Sequence, residues 1–222
     1  MKYDNVRRAV FLERLNRFAA RVELDGQAET VHVKNSGRCR ELLLPGGEVW
    51  LTRAANPARK TRYDLVTVRG NSGALFNVDS QAANAVALEW LLRQGWDEVR
   101  PEYAFGSSRI DFFMRRGGEK VLMEVKGCTL ERDGVGYFPD APTERGAKHV
   151  RELARAAAGG YTAVLAFVIQ MDGVREVRPN RETDPAFAEA LEDAVRRGVR
   201  ILFLPCHVEP DSLEIAAGTA WD

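Results

Sequence analysis

The sequence predicts an α+β protein in two parts, a small β-barrel followed by an α/β domain with a mixed sheet. Residues 1–80 contain short strand-like segments that are separated by turn-forming residues. After Asp79 the apolar residues recur at helical spacing. Tyr161 to Ile169 then form a continuous apolar run, which is typical of a strand buried on both faces. Helices alternating with strands in this second part indicate a sheet covered by helices.

The first part is predicted to hold five strands and one short helical insert. The strands are expected at residues 9–24, 29–33, 48–52, 64–68 and 74–78. Asp25-Gly26 and Pro45-Gly46-Gly47 are turn signals, and residues 38–44 favour a single helical turn. Such an arrangement is typical of an OB-type barrel, although other β arrangements fit nearly as well.

The second part predicts the order α-β-β-α-β-α-β. Helices are expected from the N-cap Ser80 to Gly95, at residues 143–158 and at residues 185–197. Strands are expected at residues 108–114, 120–125, 161–169 and 199–204, with a hairpin turn at Gly117-Gly118 and a polar loop at residues 131–142. We therefore expect a barrel domain at residues 1–80 and an α/β domain at residues 81–222.

Composition points to a protein of the reducing cytoplasm. The N-terminal residues are charged and lack an apolar stretch, so no secretory signal is expected. The longest apolar run, Ala163 to Ile169, is too short to cross a bilayer, and we expect no membrane partner. Cys39, Cys128 and Cys206 are few, odd in number and widely spaced, which fits neither a disulfide framework nor a zinc site.

The charge distribution is uneven although the net charge is zero. Residues 1–62 carry 13 Lys and Arg against 7 Asp and Glu, a net charge of +6. The remaining residues therefore carry a net charge of −6. A basic first third is typical of a surface that meets a polyanion. Arginines that simply solvate a strand-rich surface explain the excess about equally well.

The predicted hairpin brings together the residues that most suggest chemistry. Asp111 interrupts an otherwise apolar strand. On the partner strand, Glu124 and Lys126 share one face because strand side chains alternate. A turn near Gly117 pairs residues whose numbers sum to about 234 or 235, so Asp111 should lie opposite position 123 or 124. Two carboxylates and an ammonium group are thus expected at one spot.

Two carboxylates this close repel each other unless a cation lies between them. Mg²⁺, or Mn²⁺ in its place, would suit Asp111 and Glu124, since it takes one or two carboxylates together with water and phosphate oxygens. The bound ion would polarise a phosphodiester, and Lys126 would stabilise the developing charge or orient the attacking water. The alternative is an exposed Glu-x-Lys and an aspartate paired with Arg109, and spacing alone favours this structural interpretation. Glu89 borders an apolar helical stripe, so it either reaches the site or extends into solvent.

The predicted helix at residues 143–158 offers a second polar set. Glu144, Arg145, Lys148 and His149 lie near its N-terminus, where a phosphate group is favoured. A solvated helix face is the more frequent explanation of such a pattern. His149 has no metal-ligand partner one turn away, so a zinc site is not expected. The chain also lacks a glycine-rich phosphate loop and a Ser-His-Asp order, which gives no support to a nucleotide triphosphatase or a serine hydrolase.

Several strings in the sequence resemble the sugar fermentation stimulation protein family. The most specific is the string Gly136-Tyr-Phe-Pro-Asp-Ala-Pro-Thr-Glu-Arg-Gly-Ala-Lys-His. The others are Arg109-Ile-Asp-Phe, Glu124-Val-Lys-Gly-Cys-Thr-Leu, Arg17-Phe, Asn35-Ser-Gly, Pro45-Gly-Gly-Glu-Val-Trp-Leu and Asn77-Val-Asp-Ser with Asn84. The resemblance covers essentially the whole chain. It departs at Ser36, where threonine is expected, and at Cys128, where an aliphatic residue is expected.

The resemblance implies an N-terminal OB-like barrel followed by a PD-(D/E)xK restriction-endonuclease-like domain. It assigns the acidic pair and lysine of that domain to Asp111, Glu124 and Lys126, with Glu89 as a further helix acid. The predicted nucleic-acid contacts are Arg17, Arg38, Arg40, Glu144, Arg145, Lys148 and His149. The family is described as DNA-binding and linked to the regulation of sugar (maltose) utilisation.

Three functions therefore stay open. The first is a DNA-binding protein with a Mg²⁺-dependent nuclease site. The second is a non-catalytic DNA-binding regulator of sugar metabolism that keeps the nuclease scaffold. The third, weaker alternative is a sugar-metabolic enzyme or sensor. DNA is the favoured nucleic acid, and a homodimer is left open.

Overall fold

The N-terminal strands close into a barrel, as the sequence predicts. The computed structural model describes residues 1–35, 37–56, 58–106 and 108–221, so Ser36 lies outside the described residues. The barrel strands are β1 (Arg7–Asn16), β2 (Ala19–Leu24), β3 (Gln27–Val33), β4 (Glu48–Arg53), β5 (Tyr63–Arg69) and β6 (Leu75–Asn77). They run in the order β3-β2-β1-β4-β5-β6, and a parallel pairing of β3 with β5 closes the barrel. Fully buried side chains such as Phe11, Leu51 and Leu65 fill its interior.

The segment predicted as one strand at residues 9–24 is two strands, β1 and β2, joined by a turn at Arg17 and Phe18. This turn contains no glycine, which is the signal that sequence reasoning relies on. The Asn16 side chain stabilises the turn instead, because its Oδ1 accepts the Phe18 N–H at 2.8 Å. Arg17 and Phe18 therefore lie at an exposed hairpin tip.

The second part is an α/β domain built on a mixed sheet. Its elements are α1 (Ala82–Leu91), β7 (Glu98–Phe105), β8 (Ser108–Arg116), β9 (Glu119–Cys128), β10 (Leu130–Arg132), β11 (Val135–Phe138), α2 (Glu144–Ala158), β12 (Thr162–Ile169), β13 (Val177–Pro179), α3 (Pro185–Arg196), β14 (Arg200–Glu209) and β15 (Ser212–Ile215). The main sheet runs β15-β14-β12-β9-β8-β7. Strand β12 is parallel to both β9 and β14, whereas the outer pairs are antiparallel. The predicted fold class, an OB-like barrel followed by a nuclease-like α/β domain, is confirmed.

Several local predictions were wrong, mostly at the edges of the sheet. Strand β7 was missed because its side chains are largely exposed and Pro101 interrupts it, both of which are features of edge strands. Strand β15 at the opposite edge was also missed, and the predicted loop at residues 131–142 contains β10 and β11. Ser80 does not cap α1, because its hydroxyl donates to the Lys34 carbonyl instead.

The two parts of the chain meet at a buried polar junction centred on Gln170, which directly follows β12. The Gln170 Nε2 group lies 2.8 Å from Asn77 Oδ1, 3.2 Å from the Asn77 carbonyl and 3.0 Å from the Asp79 carbonyl. Asp79 in turn pairs with the Lys34 ammonium at 2.6 Å. Since, among the described residues, the Gln170 carboxamide bonds only groups from the barrel part, the junction fixes how the barrel sits on the sheet.

Gly127 allows this junction to form. A Cβ atom at Gly127 would lie 2.1 Å from Gln170 Oε1, much closer than two such atoms can approach. The position therefore requires glycine for close approach.

We expect Gly127→Ala to lower the free energy of unfolding by about 1–3 kcal/mol, because the displaced carboxamide would leave buried polar groups without partners. The measurement is urea unfolding followed by circular dichroism. Gly118→Ala is the matched control, since a Cβ there meets nothing within 4 Å. Equal stability of the two variants would contradict the assignment of Gly127.

Candidate active site

Asp111 on β8 and Glu124 on β9 lie side by side in the sheet. The register pairs Phe112 with Met123, and its continuation sets Asp111 level with Glu124, as the predicted sum of 235 requires. Both oxygens of Asp111 are engaged: Oδ2 accepts the Val125 N–H at 2.8 Å, and Oδ1 accepts from the Asn84 side chain at 2.8 Å. Burial raises the pKa of the Asp111 carboxyl above its ordinary value, and the Glu124 carboxylate raises it further.

Glu124 is almost completely buried, with 1% of its surface exposed. Its Oε1 accepts from the Lys126 ammonium at 2.5 Å and from the Nδ1 of His149. Burial alone would raise its pKa, but the His149 hydrogen bond and the Lys126 charge outweigh burial and hold the pKa below the ordinary value. The other oxygen, Oε2, is buried and has no hydrogen-bond partner among the described residues.

Helix α2 contributes His149 to this cluster. Thr143 caps the helix by accepting the Gly146 N–H, so the helix begins where the sequence predicts. The Arg145 Nε group donates to His149 Nε2 at 3.3 Å, which makes Nδ1 the protonated nitrogen facing Glu124. The sequence-based interpretation of a solvated face was therefore wrong for His149, which is buried, whereas Glu144, Arg145 and Lys148 are exposed. These side chains line an open groove of about 890 Å³ beside Arg109.

A second, more enclosed cavity of about 260 Å³ lies next to the acids. Its walls come from the barrel, α1, the end of β9 and the loop before α2, so both parts of the chain build it. Three cationic side chains, Arg17, Lys126 and Arg145, line it against one carboxylate, Asp140. The amides Asn35, Asn84 and Gln170 complete the polar lining. Such a lining suits a small anionic group.

Comparison with known proteins agrees with this architecture. The family model described as the SfsA N-terminal OB domain matches residues 12–78, and the model described as the sugar fermentation stimulation protein RE domain matches residues 79–212. The chain belongs to the sugar fermentation stimulation protein family.

Members of this family resemble the chain over nearly its whole length. A sugar fermentation stimulation protein homolog from Desulfitobacterium hafniense (strain Y51) is 51% identical over 217 residues, covering 96% of this chain and 95% of the relative. A homolog from Ruminiclostridium cellulolyticum is 46% identical over 219 residues, covering 97% and 96%. The solved structure of Pyrococcus furiosus SfsA in complex with Ca²⁺ is 28% identical, with a TM-score of 0.87 over 99% of this chain and 96% of that one.

The carboxylates of Asp111 and Glu124 can be compared with the ligands that a divalent cation requires. Within the described ranges, no group of three or more His, Cys, Asp or Glu side chains forms a ready-made cage. The two adjacent carboxylates nevertheless fit an ion such as Mg²⁺, which takes its remaining ligands from water and phosphate. The unpartnered Glu124 Oε2 is the observation that favours this fit, because a buried carboxylate oxygen is costly to leave without a partner.

The structure does not place Glu89 with the predicted acids. Its carboxylate pairs with the N-terminal ammonium of Met1 at 2.8 Å, and its side chain is 44% exposed. Asn84 is the α1 residue that contacts Asp111. The sequence carried a signal for this contact, because Asn84 shares a helix face with buried residues. It lies one turn before Ala87 and two turns before Leu91.

The predicted arginines lie at the barrel surface. Arg17, Arg38 and Arg40 are exposed and line an outer pocket of about 490 Å³. Arg14 organises their loops, since its guanidinium donates to the carbonyls of Asn16, Arg17, Asn35, Gly37 and Arg38.

Two further findings bear on the sequence-based expectations. Cys39, Cys128 and Cys206 are buried and free of disulfides. None of the helices in the described part of the chain is long and apolar enough to cross a membrane.

We expect Asp111→Ala to lower the free energy of unfolding by about 1–3 kcal/mol, because the buried Val125 N–H loses its acceptor. Asp111→Asn should be more stable than Asp111→Ala, since a carboxamide oxygen still accepts that bond. Differential scanning calorimetry of both variants in EDTA provides the measurement. Asp97→Ala is the control, because it removes an exposed carboxylate that accepts the Gly117 N–H at 2.7 Å. Asp111→Asn proving as unstable as Asp111→Ala would refute this role.

Proposed function

We propose that this chain binds nucleic acid and hydrolyses phosphodiester bonds with a divalent cation, Mg²⁺ or Mn²⁺, at Asp111 and Glu124. The observation that carries the proposal is the buried, unpartnered Oε2 of Glu124 beside a second carboxylate and next to a cationic cavity. We assign binding to residues 1–80 and hydrolysis to residues 81–222. DNA, a cytoplasmic location and a homodimer remain predictions of the same proposal.

The cation would be held by the carboxylates of Asp111 and Glu124. When bound, it supplies Lewis-acid polarisation of the phosphate and lowers the pKa of a bound water. The solved relative from Pyrococcus furiosus, described in complex with Ca²⁺, supports a divalent ion in this family. Ca²⁺ and Mg²⁺ both prefer oxygen ligands, which is the chemistry of the two acids.

The chain's own residues have distinct roles in this mechanism. Asn84 and the Val125 N–H orient Asp111, while His149 orients Glu124 from helix α2. Lys126, held 2.5 Å from Glu124 and lining the inner cavity, stabilises negative charge that develops on the phosphate. Because four hydrogen-bond donors already fix the two carboxylates, little reorganisation is needed when substrate enters.

Cleavage of labelled single-stranded DNA, duplex DNA and RNA with Mg²⁺ and with Mn²⁺ tests the proposal. We expect Asp111→Asn and Glu124→Gln to remove cleavage and Lys126→Met to slow it by at least about 100-fold, the effect of losing one charge-stabilising donor. Glu119→Gln and Lys120→Met are matched controls, since both side chains are exposed at the other end of the same strand.

Two results would overturn this proposal. One is no cleavage of any of the three substrates with either ion. The other is cleavage by Asp111→Asn at the rate of the unaltered chain, which would trace the activity to a contaminant or to another site.

A second function is favoured by one specific observation. Glu124 Oε1 is already paired with the Lys126 ammonium and with His149, so the chain itself provides a cation at the acids. A protein stabilised in this way can retain the scaffold and bind DNA without cleaving it. It would then be a non-catalytic regulator of sugar (maltose) metabolism.

Calorimetric titration with Mn²⁺ separates the two functions. The nuclease proposal expects saturable binding of Mn²⁺ that Glu124→Gln removes, because a neutral carboxamide is a poorer ligand for a hard cation. If the chain is a non-catalytic regulator, we expect no saturable binding of Mn²⁺ and a DNA affinity that EDTA does not change. Glu119→Gln serves as the control and should titrate like the unaltered chain.

A further inference from the structure

The tip of the β1–β2 hairpin presents an aromatic ring to solvent. The Phe18 side chain is 52% exposed although it is large and apolar. An exposed apolar residue by itself is ordinary and needs no explanation. Phe18 differs because the Arg17 guanidinium lies 5.6 Å from its ring centroid and the His32 ring lies 6.5 Å away. Aromatic and cationic groups therefore share one exposed tip.

Hydrogen bonds hold the backbone that carries this ring in place. The Phe18 N–H donates to Asn16 Oδ1 at 2.8 Å, and its carbonyl accepts from the Val33 N–H at 2.9 Å. The same carbonyl lies 2.8 Å from His32 Nδ1. Because the Phe18 N–H and carbonyl are both hydrogen-bonded, the backbone of the tip loses little conformational entropy when a ligand stacks on the ring. This favours binding.

Cationic side chains continue from this tip into the outer pocket. Arg17, Arg38 and Arg40 line that pocket, and the Arg14 guanidinium binds the carbonyls of the loops that carry them. Arg14 is thus occupied by backbone, whereas Arg38 and Arg40 extend from the surface. Cationic side chains beside an exposed aromatic ring are the combination that binds the backbone and bases of a nucleic-acid strand.

The outer pocket adjoins the inner cavity beside the acids. Both are lined by Arg17, Gly37, Ala141 and Pro142, so these residues form a shared wall. The inner cavity then leads to Lys126, which contacts Glu124. The hairpin tip, the outer pocket and the inner cavity therefore lie in one row that leads towards the acid pair, and we call this row the track.

We propose that this track receives single-stranded nucleic acid, with one base stacked on Phe18 and the backbone carried past Arg38 and Arg40 towards Lys126. The inference rests on the proposed function, since it names the substrate class of the same site. The inner cavity, at about 260 Å³, lies just below the usual range of pockets for small ligands, so it has room for no more than about one nucleotide-sized group and none for a base pair.

The test uses the full chain in EDTA, so that binding is measured without cleavage. Fluorescence anisotropy with a labelled oligothymidylate should show Phe18→Ala binding about tenfold more weakly, as expected for the loss of one base–aromatic stack. Phe18→Trp should restore the affinity, because it keeps a stacking ring. Leu15→Ala is the matched control: its side chain is 42% exposed on the same hairpin, and it should change affinity by less than about twofold.

The salt dependence tests the arginines separately. The Arg38→Gln and Arg40→Gln double variant should reduce the slope of log affinity against log salt by about 1.4, two phosphate contacts on a single strand. The control double variant, Arg115→Gln with Lys120→Gln, removes two charges that face each other at the far end of β8 and β9. It should leave the slope unchanged.

Equal affinity of Phe18→Ala and the unaltered chain, or tighter binding of a labelled duplex than of the single strand, would overturn the track. An oligouridylate measured in parallel shows whether the strand is DNA or RNA. The binding assay and the cleavage assay can give opposite results, so failure of the track and failure of the nuclease proposal are distinguishable. Loss of cleavage in Asp111→Asn with unaltered binding by Phe18→Ala would support the nuclease and refute the track. Weakened binding by Phe18→Ala, with no cleavage by the unaltered chain or any variant, would support the track and refute the nuclease proposal.

Discussion

The buried carboxamide of Gln170 is the interaction on which the arrangement of this protein depends. It donates to groups at the end of the barrel while lying at the end of the central strand β12. Gly127, next to Lys126 on the neighbouring strand β9, gives the carboxamide its space. Because Arg17 belongs to the barrel and Lys126 to the sheet, the cavity that both residues line depends on this junction to hold the two parts together.

The acid cluster shows how a sheet can hold two carboxylates out of water. Asp111 has a raised pKa because burial and its neighbour both disfavour its charge, whereas the partners of Glu124 keep that group ionised. The Lys126 ammonium and His149 offset the repulsion between the two acids. One oxygen of Glu124 nonetheless stays without a partner among the described residues, and unpaired buried groups of this kind concentrate at functional sites.

Sequence patterns predicted the elements whose burial is strong. The apolar run at residues 161–169 became β12, a strand with neighbours on both sides, and the glycine turn set the register that aligns Asp111 with Glu124. The patterns failed where burial is weak: at the edge strand β7, and at the Arg17–Phe18 turn, where a side-chain hydrogen bond replaces glycine. Glu89 was misjudged for a related reason, because spacing on one helix cannot reveal a distant partner such as the N-terminal ammonium.

The sequence by itself determined the two-part α+β architecture, the hairpin that carries the acids and the basic character of the first third. Those properties follow from local alternation, turn residues and charge, which are written along the chain. Only the tertiary structure decided that His149 is buried against Glu124, that Asn84 holds Asp111 and that the barrel pocket shares a wall with the cavity at Lys126. Each of these contacts joins residues from different elements, and their distances are set by how the barrel, helices and sheet pack together.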